Sequence, residues 1–176
     1  MIIYFLRHAS AGDHLLNPKK DEKRALDKEG IEQCGYVGRA LAAIDVQVDV
    51  VISSPLKRAT QTASLVGNEI GYEGKLQIEA GLKPGANVAD FRRMLDKYAR
   101  SESVMVVGHN PNLSRFLGAV ISEPDCEASV ELKKGAVARV DMRRTSGTLQ
   151  WCLTPRALRS LYTAAIESSR PKTSRK

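Results

Sequence analysis

The sequence predicts an α/β fold: a three-layer α/β/α sandwich with a mostly parallel central sheet and an antiparallel hairpin at its edge. Three observations carry this. Short apolar runs alternate with stretches of helical periodicity, the pattern of a layered α/β domain. Residues 2–7 and 104–107 form nearly continuous apolar runs, as in strands buried on both faces. Two later runs, separated by turn residues, alternate apolar with more polar positions, which reads as a hairpin on the far side of the sheet.

The elements follow in order. The run at 2–7 has no basic residue before it and ends at Arg7, so it reads as a first buried strand and not as a signal peptide. A polar loop is expected from Ser10 to about Leu26. Ile31, Cys34, Val37, Leu41 and Ile44 then recur at steps of three and four, which marks a helix with Asp27 as its N-cap. Residues 48–53 form a second strand. Ser54 is expected to cap the next helix, with Pro55 at its first position. Leu56, Ala59, Ala63, Val66 and Ile70 mark that helix's buried face, and Gly71 ends it. Residues 76–78 are a short strand or extended connector. Asn87 caps a helix with Val88, Phe91, Leu95 and Tyr98 on one stripe. Asn110-Pro111 opens the next, with Leu113, Phe116, Leu117 and Val120 facing inward. Ala136, Ala138, Val140 and Met142 alternate, as do Leu149, Trp151 and Leu153, across the turn residues Thr145-Ser146-Gly147. No repeat or linker divides the chain. Residues 1–168 are expected to form one domain and residues 169–176 a basic disordered tail.

Bulk composition narrows the function classes. The 176 residues are 43% hydrophobic, enough for an ordinary core, but only 5% aromatic, so aliphatic side chains must fill it. No stretch has the roughly 18–20 apolar residues of a membrane helix, and no membrane partner is expected. Cys34, Cys126 and Cys152 are odd in number and fit no zinc or disulfide spacing, which suggests free thiols in a cytoplasmic protein. The net charge of +7 invites a nucleic-acid reading. Much of the excess lies in the last seven residues, and no recognition motif accompanies it, so that reading is set aside.

Chemically able residues follow three strands. Arg7-His8 follows the first, Ser53-Ser54-Pro55 with Arg58 the second, and Gly108-His109-Asn110-Pro111 the strand at 104–107. Ligands in open α/β sheets sit beyond the carboxyl ends of strands. If these strands are parallel neighbours, the four side chains share one crevice. Two arginines can fork onto phosphate oxygens, and two histidines can supply a nucleophile and a donor. Neither a glycine-rich phosphate loop nor a carboxylate cluster for a metal accompanies them. The pattern therefore points to metal-free phosphoryl chemistry without a cofactor. Each residue taken singly has a plainer reading, as a cap or a solvated charge; their joint position is the signal.

Those segments resemble the three motifs of the histidine phosphatase superfamily, the phosphoglycerate mutase-like fold. Leu6-Arg7-His8-Ala9 resembles its Arg-His-Gly signature. The run from Ser53 to Thr62 resembles the second motif, and Val107-Gly108-His109-Asn110-Pro111 the third. Arg24-Ala25-Leu26-Asp27-Lys28-Glu29-Gly30, the short chain and Ala9 resemble the SixA branch of phosphohistidine phosphatases. The likeness spans about residues 1–160 and is more specific for the superfamily than for a substrate. It implies that His8 is the nucleophile and becomes phosphorylated, and that Arg7, Arg58 and His109 bind the phosphoryl oxygens. Ser10 and Arg24 are further candidates for phosphate contact; Lys19, Lys20 and Lys23 are candidates for a basic rim. His14 reads as an ordinary loop residue. The branch often carries a glutamate just before Leu-x-Pro, where this chain has Gly81. Glu79, two residues earlier, is a candidate proton donor. The implied partner is a phosphorylated histidine phosphotransfer protein. A small phosphoester is the alternative substrate, and a non-catalytic phosphoprotein-binding module is the alternative class.

Overall fold

The computed structural model describes residues 1–123, 128–143 and 146–169. Cys126, the turn residue Thr145 and residues 170–176 of the expected tail lie outside them.

The strands are β1 (Ile2–Arg7), β2 (Val50–Ser53), β3 (Gln77–Ile78), β4 (Ser103–Gly108), β5 (Val137–Met142) and β6 (Gly147–Leu153). They form one six-stranded sheet in the order β3-β2-β4-β1-β5-β6. β3, β2, β4 and β1 run parallel; β5 is antiparallel to β1 and forms the edge hairpin with β6.

Period-two alternation divides the core between the two faces of the sheet. Ile3 and Phe5 of β1, with Val104 and Val106 of β4, face α4 (Val88–Asp96) and α5 (Asn112–Ile121), which supply Phe91, Met94, Leu113 and Leu117. Tyr4, Leu6, Met105 and Val107 face the other way. They pack on α2 (Lys28–Ala43) and α3 (Lys57–Glu69) through Cys34, Val37, Leu41, Ala59, Ala63 and Val66. The three layers are those the sequence predicts.

Caps explain several boundaries. Asp27 Oδ1 accepts from Gly30 N at 2.7 Å at the start of α2. Asn87 and Asp90 form a reciprocal capping box on α4. Gly71, at φ +70°, follows the end of α3 in the left-handed conformation that glycine adopts without steric cost.

Four features depart from the sequence reading. The loop from Ser10 to Leu26 contains a short helix, α1 (Pro18–Glu22), capped by Asn17 with Pro18 at its first turn. α3 begins at Lys57, with Leu56 at the cap position and no side-chain cap bond, while the Ser54 hydroxyl lies against His109. α5 likewise begins at Asn112, one residue past Pro111. After β6 the chain forms α6 (Pro155–Ser169), a helix the sequence reading did not identify, and buries Leu158 beside α2.

Candidate active site

Sheet register builds the site. Arg7 of β1 lies opposite Gly108 of β4, so His8 and His109 leave the sheet side by side. His8 N donates to Gly108 O at 3.0 Å, and the two imidazoles lie 4.9 Å apart between centroids. On the other side of β4, Ser53 pairs with Val107, and Ser54 N donates to Val107 O at 2.9 Å. This places Ser54 Oγ 2.8 Å from His109 Nε2. Arg58, in the first turn of α3, completes the group. Arg7, His8, Arg58 and His109 all line one cavity of about 600 Å³ beyond the carboxyl ends of the strands.

Each imidazole is oriented by its neighbours. His8 Nδ1 donates to the Ala9 carbonyl at 2.8 Å, which leaves Nε2 with the free lone pair. Burial lowers the His8 pKa, and the charges of Arg58, Arg7 and Arg24 lower it further against the Ala9 carbonyl, to about 4. Burial, then His8, Arg58 and Arg7, bring His109 to about 2 against the opposing charge of Asp21. Both rings are therefore neutral at pH 7.

Three buried nitrogens of the same residue group lack partners. Arg7 Nη1 donates to Leu132 O at 2.8 Å, but its Nε is buried without a partner. Arg58 Nη1 reaches Asp21 O at 2.9 Å and Asp21 Oδ2 at 3.1 Å, and its Nε is also buried and unpartnered. His109 Nδ1 is the third such atom. Buried donors without acceptors are costly, and three around one cavity suit an anion that supplies several oxygens.

Asp21 is the neighbour of the candidate site that the sequence reading missed. Burial opposes its ionisation. Hydrogen bonds from Arg24 and from Leu15 N, with the charges of Arg58 and Arg24, outweigh that and hold its carboxyl well below the usual range. It bridges Arg58 to Arg24, whose Nε donates to Asp21 Oδ1 at 2.8 Å. The i,i+3 spacing of Asp21 and Arg24 was the available signal, but it became readable only once residues 18–22 proved helical.

The remaining candidates divide. Arg24 lines the cavity, yet its Nη1 donates to the Ala11 and Gly12 carbonyls, so it also ties down the loop after His8. Ser10 does not reach the cavity: its hydroxyl donates to Asp27 Oδ2 at 2.8 Å, beside a second bond from Gly12 N. Glu79 faces away. It is held by Lys97 Nζ at 2.8 Å and Tyr98 Oη at 3.1 Å and lines a separate depression. Lys19, Lys20 and Lys23 are exposed but do not line the cavity. Lys83 and Lys134 do, as do His14 and the carboxylates Asp13 and Glu22. Among the described residues, no group of three or more His, Cys, Asp or Glu side chains is placed to hold a metal ion. No described helix is long and apolar enough to cross a membrane.

Comparison with known proteins agrees with this architecture. Residues 3–84 match the family model of the histidine phosphatase superfamily (branch 1). An uncharacterized protein of Picosynechococcus sp. (strain ATCC 27264 / PCC 7002 / PR-6) is 30% identical over 68% of this chain and 73% of its own length. The phosphohistidine phosphatase SixA of Escherichia coli (strain K12) is 26% identical over 88% of this chain and 94% of its own. A solved structure of the protein histidine phosphatase SixA complexed with tungstate superposes with a TM-score of 0.78 at 25% identity. It covers 90% of this chain and 99% of that one. By these matches and by its fold, the chain belongs to the histidine phosphatase superfamily.

Proposed function

We propose that this phosphatase removes phosphate from phosphohistidine in a phosphotransfer protein, through a covalent intermediate on His8. One observation carries the reading: a neutral imidazole with a free Nε2 sits in the same cavity as three buried nitrogens that lack acceptors. The SixA relative is named a phosphohistidine phosphatase, which supports the choice of phosphohistidine as substrate.

In the proposed reaction, Arg7, Arg58 and His109 hold the three phosphoryl oxygens. The Ser54 hydroxyl donates to His109 Nε2, which keeps the proton on Nδ1 and aims a donor at the anion. His8 Nε2 attacks phosphorus in line. The new P–N bond forms as the bond to the substrate imidazole breaks, and that imidazole takes a proton from solvent. Charge on the equatorial oxygens is stabilised by donors already in place. Water then attacks phosphorus of phospho-His8, releases phosphate and restores the lone pair. No step requires a metal.

The preference for phosphohistidine follows from the leaving group. An alkoxide needs a general acid, worth on the order of 10²–10⁴ in rate. Glu79 is held by Lys97 and Tyr98, away from the cavity. A ring nitrogen protonates without a dedicated acid. A second reading, hydrolysis of a small phosphoester, is favoured by Asp13 and Glu22, carboxylates that do line the cavity.

The test is a turnover panel of phosphohistidine peptide, phosphorylated phosphotransfer domain, phosphoserine, phosphotyrosine and alkyl phosphate, with rapid-quench mapping of the phosphorylated residue. Label on His8 and a preference of at least about 100-fold for phosphohistidine over alkyl phosphate are expected. His8→Ala abolishes turnover on every substrate. Wild-type rates in His8→Ala overturn the mechanism; comparable efficiency on alkyl phosphates favours the second reading.

A further inference from the structure

We infer that Lys83 and Lys134 form a second anion subsite at the cavity mouth, which selects phosphohistidines flanked by an acidic residue. The inference rests on the phosphohistidine reading and names the sequence context that the site accepts.

The cavity is much larger than one phosphoryl group needs, and its charge is lopsided. Five cations line it (Arg7, Arg24, Arg58, Lys83 and Lys134), against Asp13, Asp21 and Glu22. Asp21 is already paired with Arg24 and Arg58. Lys83 and Lys134 are exposed and have no ion-pair partner among the described residues, although their neighbours do: Lys133 pairs with Glu131, and Lys97 with Glu79. Their charges add to those of Arg7, Arg24 and Arg58 around one cavity, which favours an anion at its mouth.

Their backbones are tied to the catalytic strands. Gly135 N donates to the His8 carbonyl at 3.2 Å, and Leu132 O accepts from both Arg7 and Asn110; Lys134 lies between these anchors. Lys83 O accepts from Asn112 Nδ2, and Leu82 packs against Gly108 just before His109. Each lysine therefore projects from a backbone anchored beside the residues of the site, and both line the cavity that holds His8. Rim charges of this kind act on encounter and binding and leave the chemical step alone.

The experiment compares wild type with Lys83→Ala/Lys134→Ala on two phosphohistidine peptides, one flanked by glutamates and one by alanines. Phosphoglycolate, a small ester that carries a carboxylate, is a third substrate. Wild type should prefer the glutamate-flanked peptide. The double variant should raise KM for that peptide about tenfold with kcat within about twofold, and leave the alanine-flanked peptide unchanged. Lys83→Arg/Lys134→Arg should retain the wild-type preference. Equal losses on both peptides, or no loss on either, overturn the subsite. A charge-dependent loss seen only with phosphoglycolate assigns the second anion to a small molecule and overturns the acidic-protein context. None of these outcomes depends on His8 labelling, which tests the phosphohistidine reading separately.

Discussion

In the proposed mechanism His8 and His109 have to be neutral for different reasons, one to attack and one to donate from a fixed nitrogen. Burial and the nearby guanidiniums bring His8 to about 4. The proposed nucleophile should therefore stay active well below the ordinary histidine pKa near 6.5. With one substrate, log kcat/KM is expected to be flat down to about pH 5 and to fall with unit slope near pH 4. A fall centred near 6.5 would show that the nucleophile is not the buried, arginine-flanked ring. Ser54 gives a companion test, because its hydroxyl is the partner of His109 Nε2. Ser54→Ala should lower kcat on the order of tenfold through loss of a buried hydrogen bond worth about 1–1.5 kcal/mol, and Ser54→Thr should restore part of it. Motif residues were legible in the sequence because their chemistry is unusual at strand ends. Ser54 was read as a helix cap, since the local rule for Ser-Pro knows nothing of an imidazole arriving from 55 residues away.

At the scale of elements, the loop after His8 is held by the start of α2 more than by its own sequence. Asp27 caps that helix through Oδ1 and uses Oδ2 to accept from Ser10 Oγ and Gly12 N. Gln33 Oε1 accepts from Ser10 N at 2.9 Å. The capping role of Asp27 was readable from the hydrophobic period that follows it; the grip on the loop was not, because it depends on tertiary placement. It also explains why Ser10, adjacent to the signature, is tied to α2 and does not line the cavity. Gly30 marks how close the approach is: a Cβ there would overlap the Ser10 carbonyl oxygen. Gly30→Ala is expected to destabilise the protein by about 2–4 kcal/mol by this clash, measured by denaturant titration. Because the loop carries Ala9, the carbonyl that sets the His8 tautomer, kcat should fall as well. A variant with unchanged stability and activity would mean the loop is not pinned there. α1 was hidden for a related reason. Five residues give no periodicity to read, and its Asp21 shows a role only when Arg58 is brought against it.

For the molecule as a whole, the layer order and the parallel sheet were legible from buried apolar runs, and they suffice to bring residues 8, 58 and 109 together. α6 was missed although Leu158 and Tyr162, one helical turn apart, form an apolar stripe that packs with the α2 side chains. The folded state keeps two histidines neutral that would each take a proton near pH 6.5 when unfolded, so unfolding binds protons as pH falls. Their contribution to stability is complete above about 6.5 and is lost as pH drops toward the folded value of about 4 for His8. Acid sensitivity should therefore begin a unit or two above the range where carboxylates alone would set it. A bound oxyanion works on the same balance from the other side, because it supplies acceptors to the buried nitrogens of Arg7, Arg58 and His109. Orthophosphate or tungstate at 100 times its Kd is expected to add about 2.7 kcal/mol. That raises Tm by about 2–4 °C for each kcal/mol in a chain of this size. Arg58→Ala should remove most of the shift, while Lys19→Ala, at a position outside the cavity, should keep it. A shift of equal size in Arg58→Ala would place the anion elsewhere on this basic chain and separate general charge attraction from the site built at the strand ends.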